Sequence, residues 1–327
     1  MVRNEADVIE AFVRHHAEVL DAMIVVDHCS SDGTDELLRA LAAEGLPLSV
    51  RNERSLVHRQ DVILTALMRE AATSGGADWV VPLDADEFLV SREGDARDVL
   101  GTLAYDRAWT VDLHYYVPCP DDPVDDNVLK RIRHRRVGES AWWTRKVIVP
   151  AARARSGRRS LSQGSHGLVD ARTGEVVPAS FTDRLALAHF PVRSKHQLAR
   201  KVLGGWPAHL ARPDGPQSGA FQWKRIFDAT VSGRLTAQQL QAVALDYPTR
   251  EPKGPRAREL EFDPVPTRVE LRYDLPPESA PLEILAETAV RLAEELSDAL
   301  GGTPTEEERP RTRRAGARRS ASRPLQY

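Results

Sequence analysis

Cysteine is nearly missing from this sequence: Cys29 and Cys119 are the two in 327 residues. Two thiols cannot build a disulfide framework, which fits a reducing interior and leaves both as unremarkable small side chains. A run of about 18 apolar residues is also lacking, so no membrane-spanning helix is expected. The stretch that would have to serve as a secretory leader carries Arg3, Glu5, Asp7, Glu10 and Arg14 instead of an apolar core. The expected location is therefore cytoplasmic, with peripheral association to a membrane surface open to it. Charge of one sign is scarce as well. Forty-five Lys and Arg against 48 Asp and Glu leave a formal net charge of −3, which argues against a nucleic-acid partner. No internal repeat occurs, and residues 1–35 lack the Gly- and Lys-rich phosphate loop that a nucleotidyltransferase would show.

What is present is alternation. Asp7 to Leu20 has apolar residues at helical spacing, and the short apolar run Met23 to Val26 follows it. Asp27 to Thr34 supplies turn and cap residues, and Asp35 to Ala43 returns to helical periodicity. Strands are expected at Leu48–Val50 and Trp79–Leu83, with a helix over Arg59–Thr73 between them. This order predicts an α/β fold, a largely parallel sheet with helices on both faces. Further strands are expected at Ala108–Val117 and Lys146–Pro150, and helices at Lys195–Leu203, Thr236–Asp246 and Pro281–Leu300. Between the last two helices, Pro248 to Pro277 is rich in proline and charge and predicts an extended wrap. Thr303 to Tyr327 has almost no apolar residues and predicts a disordered tail.

Sheets of this kind bind ligands beyond the carboxyl ends of their strands, and acids collect there: Asp27 after one strand, Asp84 and Asp86 after another. Two carboxylates one residue apart can face the same hard cation, Mg²⁺ or Mn²⁺, which in turn bridges phosphate oxygens. An Asp-x-Asp that merely caps a turn is common. Here an apolar strand leads into three acids and straight on into Phe88-Leu89, so the acids interrupt a buried segment and require a cationic partner.

These residues bear a family likeness. Val2-Arg3-Asn4-Glu5, Val25-Val26-Asp27-His28-Cys29-Ser30-Ser31-Asp32-Gly33-Thr34 and Leu83-Asp84-Ala85-Asp86-Glu87-Phe88 appear in the order and spacing of bacterial family 2 glycosyltransferases. The chain resembles the subgroup with an Arg-Asn-Glu start and an Asp-Ala-Asp-Glu-Phe motif. Gln163 to Gly167 and His189 to Ser194 extend the likeness to about residue 210. The resemblance implies a GT-A, Rossmann-like domain over 1–210, a helical or extended acceptor-side extension over 211–302, and the tail over 303–327. It implies a nucleotide-sugar donor, commonly uridine-linked, and single-displacement, inverting transfer to the hydroxyl of a glycan, a lipid-linked molecule or a small molecule. Asn4, Glu5, Asp27, Asp32, Asp84 and Arg193 are the donor-binding candidates it suggests, with Asp27 facing a pyrimidine N–H. Asp84 and Asp86 would hold Mn²⁺ or Mg²⁺, joined by His166 or His189.

Two features depart from the pattern. Met1 abuts the Arg-Asn-Glu segment, which predicts a shortened first strand or a start further upstream, and His28 stands where relatives carry a second Asp. The acceptor-activating base should be a downstream carboxylate. Glu139, Asp170 and Asp183 qualify by type, and Asp170 is favoured because it follows the His166 loop. Lys201, like Arg193, offers a cation for diphosphate, and Trp142, Trp143, Trp206 and Trp223 offer flat faces for sugar rings or for plain packing. The competing readings are a non-catalytic nucleotide-sugar or carbohydrate binder and, further off, a nucleotidyltransferase or phosphohydrolase.

Overall fold

A computed structural model describes residues 1–54, 59–74, 76–137, 145–211, 221–234, 236–247, 259–275 and 280–299. The tail expected to be disordered, together with Glu139, Trp142 and Trp143, lies outside them. Helix α1 (Ile9–Val19) buries Ile9, Phe12 and Val13 on one face, and strand β1 (Met23–His28) follows. Helix α2 (Thr34–Ala43) starts after Gly33, whose φ of 94° suits glycine, and buries Leu37, Leu38 and Leu41. Strand β2 (Leu48–Glu53) then pairs in parallel with β1, Met23 opposite Leu48.

Helix α3 (Gln60–Ser74) leads to the short strand β3 (Trp79–Val80), and β4 (Glu87–Ser91), α4 (Ala96–Thr102) and β5 (Ala108–Tyr115) follow. Next come α5 (Val128–Arg131), β6 (His134–Arg136), β7 (Arg145–Pro150), α6 (Ala151–Ala154) and the small hairpin partners β8 (Arg159–Leu161) and β9 (Leu168–Asp170). The long strand β10 (Ala179–His189) precedes α7 (Lys195–Leu210), α8 (Phe221–Val231), α9 (Ala237–Asp246), β11 (Leu260–Phe262) and α10 (Pro281–Ala299).

The main sheet has the order β3-β7-β5-β10-β4. Here the expectation of a largely parallel sheet fails. Among the described residues, β1–β2 and β5–β10 are the parallel ladders, and β7 and β4 run against their neighbours. Parallel pairing needs a helical crossover of a dozen or more residues. The helix α2 supplies one between β1 and β2, whereas α4 has 7 residues and α6 has 4. The fold is thus mixed α/β.

Phe88, Ile9, Leu38 and Leu41 fill the layer between α1, α2 and the sheet. His15 and His16 brace β4 from that layer: a His15 ring nitrogen sits 2.9 Å from the Leu89 carbonyl, and His16 Nε2 accepts from the Leu89 amide at 3.2 Å. Burial pushes both imidazoles down, so they are neutral there.

The C-terminal stretch does not stand apart. Val265 is buried in the same core as Val2 and Phe12, and Glu10 accepts from the amides of Arg272 and Tyr273 at 2.7 and 3.1 Å. The expected wrap is extended where described, with β11 antiparallel to β6. Helices α8 and α10 pack on α7, and Trp223 lies so close to Gly205 that a Cβ there would meet its ring at 2.7 Å. No helix among the described residues is long and apolar enough to cross a membrane.

Candidate functional site

The acids after β3 are gathered by a tight turn. The Glu87 amide donates to the Asp84 carbonyl at 3.1 Å, and the Asp84 amide donates to Glu87 Oε2 at 3.0 Å. Register then brings in β10: His189 lies opposite Glu87, and the Phe190 amide donates to the Asp86 carbonyl at 2.8 Å. Asp86 and Glu87 are consequently buried, 3% and 1% exposed, where ionised carboxylates need compensation.

That compensation comes from the protein's own cations. Lys146, on β7, donates to Asp84 Oδ2 at 2.8 Å and meets Glu87 Oε1 at 2.9 Å, and Gln60 donates to Asp84 Oδ1 at 2.7 Å. Lys201, on α7, donates to Asp86 Oδ2 at 3.0 Å, with His189 Nε2 3.5 Å from Oδ1 and Arg193 3.7 Å from Oδ2. Burial opposes ionisation of both aspartates, yet Lys146 holds Asp84 below its ordinary value, and Lys201, His189 and Arg193 hold Asp86 well below it. Burial likewise works against the charge on each lysine, and Asp84 and Asp86 overcome it, so both ammonium groups are raised.

Arg193 is the hub. Its side chain is fully buried, gripping Asp7 with two bonds of 2.7 and 2.8 Å, bonding Glu5 and donating to the Phe190 carbonyl at 3.0 Å. Burial lifts the Glu5 carboxyl to about 7, against the pull of Arg193. Burial works against the guanidinium charge, and Asp7, ahead of Glu5, overcomes it. Among the described residues Glu5 has that one ion pair, with Arg193, and its side chain is 13% exposed. Arg193 is expected to meet the donor, and in this arrangement its guanidinium is taken up by Asp7, Glu5 and the Phe190 carbonyl.

The other acidic loop follows β1. Val2 pairs with β1 by two 2.8 Å backbone bonds and lies opposite Asp27, while the Met1 amino group, buried and lowered for that reason, feels the charges of Asp84 and Lys146. The two acidic loops thus flank the N-terminal dipeptide. Asp27 is 2% exposed: its Oδ2 accepts from the Ser30 amide at 3.0 Å, and its buried Oδ1 has no hydrogen-bond partner. Burial raises its pKa. Asn4 ties the N-terminal segment to the loop after β1, donating from its amide to Ser30 Oγ at 2.9 Å and accepting from the Ser31 amide at 2.9 Å. Asp32, expected at the donor, instead accepts from the Ala6 amide at 3.1 Å and the Thr34 amide at 3.1 Å, so its oxygens organise the starts of α1 and α2.

No family model and no curated protein matches the chain.

Several expected roles do not survive that geometry. Asp170, the favoured base, closes its own turn: it accepts from the Arg172 amide at 3.0 Å and lies 3.3 Å from Arg159, and those backbone bonds lower its pKa. A carboxylate so engaged is a poor proton acceptor. Asp183 is exposed near the start of β10, six residues from His189 and so about 20 Å away along the strand. His166 is held by a 2.7 Å bond between Nδ1 and the Arg145 carbonyl, and Gly164 with φ 68° leaves its ring room that a Cβ would fill. Asp84 and His189 lie within electrostatic range of it.

Nevertheless, Asp84, Asp86, His166 and His189 do not bring three ligand atoms together. Among the described residues, the three side chains whose ligand atoms all fall within 4.8 Å of one another are Cys119, Asp122 and His134. A cysteine taken as unremarkable is part of this cluster. Sequence spacing gave half the signal, since Cys119 and Asp122 share one loop, but His134 joins only through the pairing of β6 beside the end of β5. A cavity of about 340 Å³ lies elsewhere, between the starts of α1 and α7, lined by Asn4, Asp7, Asp32, Arg131 and Arg200. It touches the Arg193 cluster through Asp7 and is not lined by Asp84 or Asp86.

Proposed function

We propose that this protein is a GT-A-type glycosyltransferase that moves a sugar from a nucleotide-sugar donor, uridine-linked, to an acceptor hydroxyl with inversion. The observation that carries this is Asp27 Oδ1. A carboxylate oxygen buried without a donor costs about 1–3 kcal/mol, and a pyrimidine N–H is the kind of donor that recovers it. Its loop lies beside the acidic turn that would receive the diphosphate, in keeping with the resemblance to bacterial family 2 glycosyltransferases.

Mn²⁺ or Mg²⁺ is the cofactor that the resemblance implies at Asp84 and Asp86. The residues as arranged do not fit it, because Lys146 and Lys201 already occupy the carboxylate oxygens and the ligand atoms do not converge. When the sugar–phosphate bond breaks, the electron pair leaves with the diphosphate, and the cation best placed to meet that charge is Lys201, whose side chain is 21% exposed while Arg193 is sealed. The acceptor is a glycan, a lipid-linked molecule or a small molecule.

The same internal pairing favours a second reading, a nucleotide-sugar binder without turnover. Calorimetric titration with a panel of nucleotide sugars, with and without chelator, tests both. Uridine-linked donors should bind even in chelator, and Asp27→Ala should weaken them by about 10- to 100-fold, as expected for a charged hydrogen bond. Failure of every nucleotide sugar to bind would remove the proposal. Binding without any donor hydrolysis would leave the binder.

A further inference from the structure

The geometry points to a zinc site at Cys119, Asp122 and His134, independent of the acidic turn. The three ligand atoms lie within 4.8 Å of one another, and two of them are stranded. Asp122 Oδ1 and His134 Nδ1 are both buried without a hydrogen-bond partner and face each other at 3.8 Å, too far for a hydrogen bond. The Asp122 side chain is 7% exposed. Ligands around a tetrahedral zinc stand about 3.3–3.6 Å apart, given bond lengths of about 2.0–2.3 Å, so a slight contraction closes the site.

The local frame holds each ligand in place. Asp122 Oδ2 accepts from the Cys119 amide at 2.6 Å, which leaves Oδ1 for the metal. Cys119 Sγ lies 3.5 Å from the Val117 carbonyl and 3.6 Å from Gln241 Nε2, a side chain on α9. His134 sits on β6, whose carbonyl binds the Val117 amide at 2.9 Å, and its ring packs edge-on to Phe262 of β11. Zinc would thus tie the loop after β5 to β6, with Gln241 bringing α9 alongside as an outer partner.

The donor set selects the ion. One sulfur, one imidazole nitrogen and one carboxylate oxygen suit Zn²⁺, whereas Mg²⁺ and Mn²⁺ prefer oxygens throughout. On binding, the Cys119 thiol loses its proton to solvent and the thiolate takes the metal. Thiolate, carboxylate and Zn²⁺ then sum to zero charge, which suits a partly buried position, and water fills the fourth place.

Cobalt(II) titration of the chelator-stripped full chain tests this directly, because a cysteine thiolate bound to cobalt gives a charge-transfer absorption. About one equivalent should develop that band, and Zn²⁺ should displace it. Asp86→Asn should leave it unchanged, Cys119→Ser should abolish it, and His134→Ala should weaken zinc by about a hundredfold. No band in the wild-type chain overturns the site whatever the variants do, and a band that persists in Cys119→Ser overturns it by assigning the metal to Cys29.

Discussion

The acidic turn and the Cys119 cluster have opposite electrostatic states. At the turn, Asp84, Asp86 and Glu87 are each matched by a lysine or an arginine contact of the protein itself, so the charges are closed upon one another. At Cys119, Asp122 and His134, two donor atoms are buried with nothing to bind. The more conspicuous motif in sequence is the one already neutralised, and the inconspicuous one is the one left open. A motif states which chemistry is available; whether it is free depends on what the fold places opposite.

The sharpest way to break this contrast is to open the closed cluster. Arg193→Met removes the partner of Asp7, Glu5 and Asp86 at once, and leaving buried carboxylates unpaired should destabilise the fold by about 3–5 kcal/mol in chemical denaturation. A loss below 1 kcal/mol would mean that the cluster is not held by charge. Next in size is the pH response of Glu5. Its carboxyl titrates at about 7 in the fold against an ordinary 4.5, so between those values the unfolded chain has released the proton that the folded one keeps. Stability from this group is therefore fully present below about 4.5 and declines as pH rises toward 7. Glu5→Gln should flatten that decline, measured by denaturation at stepped pH; an unchanged slope assigns the titration elsewhere.

Metal responses sharpen the comparison from the other side. Chelation of zinc-loaded protein should lower its stability by about 2–3 kcal/mol when free zinc had stood near a hundred times its dissociation constant, and Cys119→Ser should abolish that response. Lys201→Met should expose Asp86 and raise Mn²⁺ affinity by about tenfold or more, read by titration, because one ammonium no longer competes for the oxygen. Equal affinity in the wild type would show that the lysine is no barrier. Smallest of all, Cys119→Ser without metal should stay within about 1 kcal/mol of the wild type, since an open cluster loses little when a member changes.

Much of the fold was legible because apolar periodicity is local. The helices α1, α2, α3 and α10 and the strands β1, β2, β5 and β7 fall where the spacing predicts them. Three-residue strands such as β6, β8, β9 and β11 carry no period to detect. The direction of the sheet was misjudged because alternation continues past Asp86 while the crossovers shorten. Asp84 and Asp86 could be found from their strand, but their partners could not: Lys146 lies 62 residues beyond Asp84 and Lys201 115 beyond Asp86. Asp170 was misread because a turn-closing aspartate and a catalytic one look alike until the backbone amides around them are placed.

Gly205 carries a consequence beyond helix packing. Its missing side chain lets the Trp223 indole rest on α7, Trp223 hydrogen-bonds the Tyr247 hydroxyl, and Tyr247 lies within electrostatic range of Lys201. A single hydrogen atom at position 205 therefore sets the far end of a lever that reaches the ammonium beside Asp86. A methyl group there would tilt that lever from outside the acidic turn, making the C-terminal helices a tuning element for the charge at its centre.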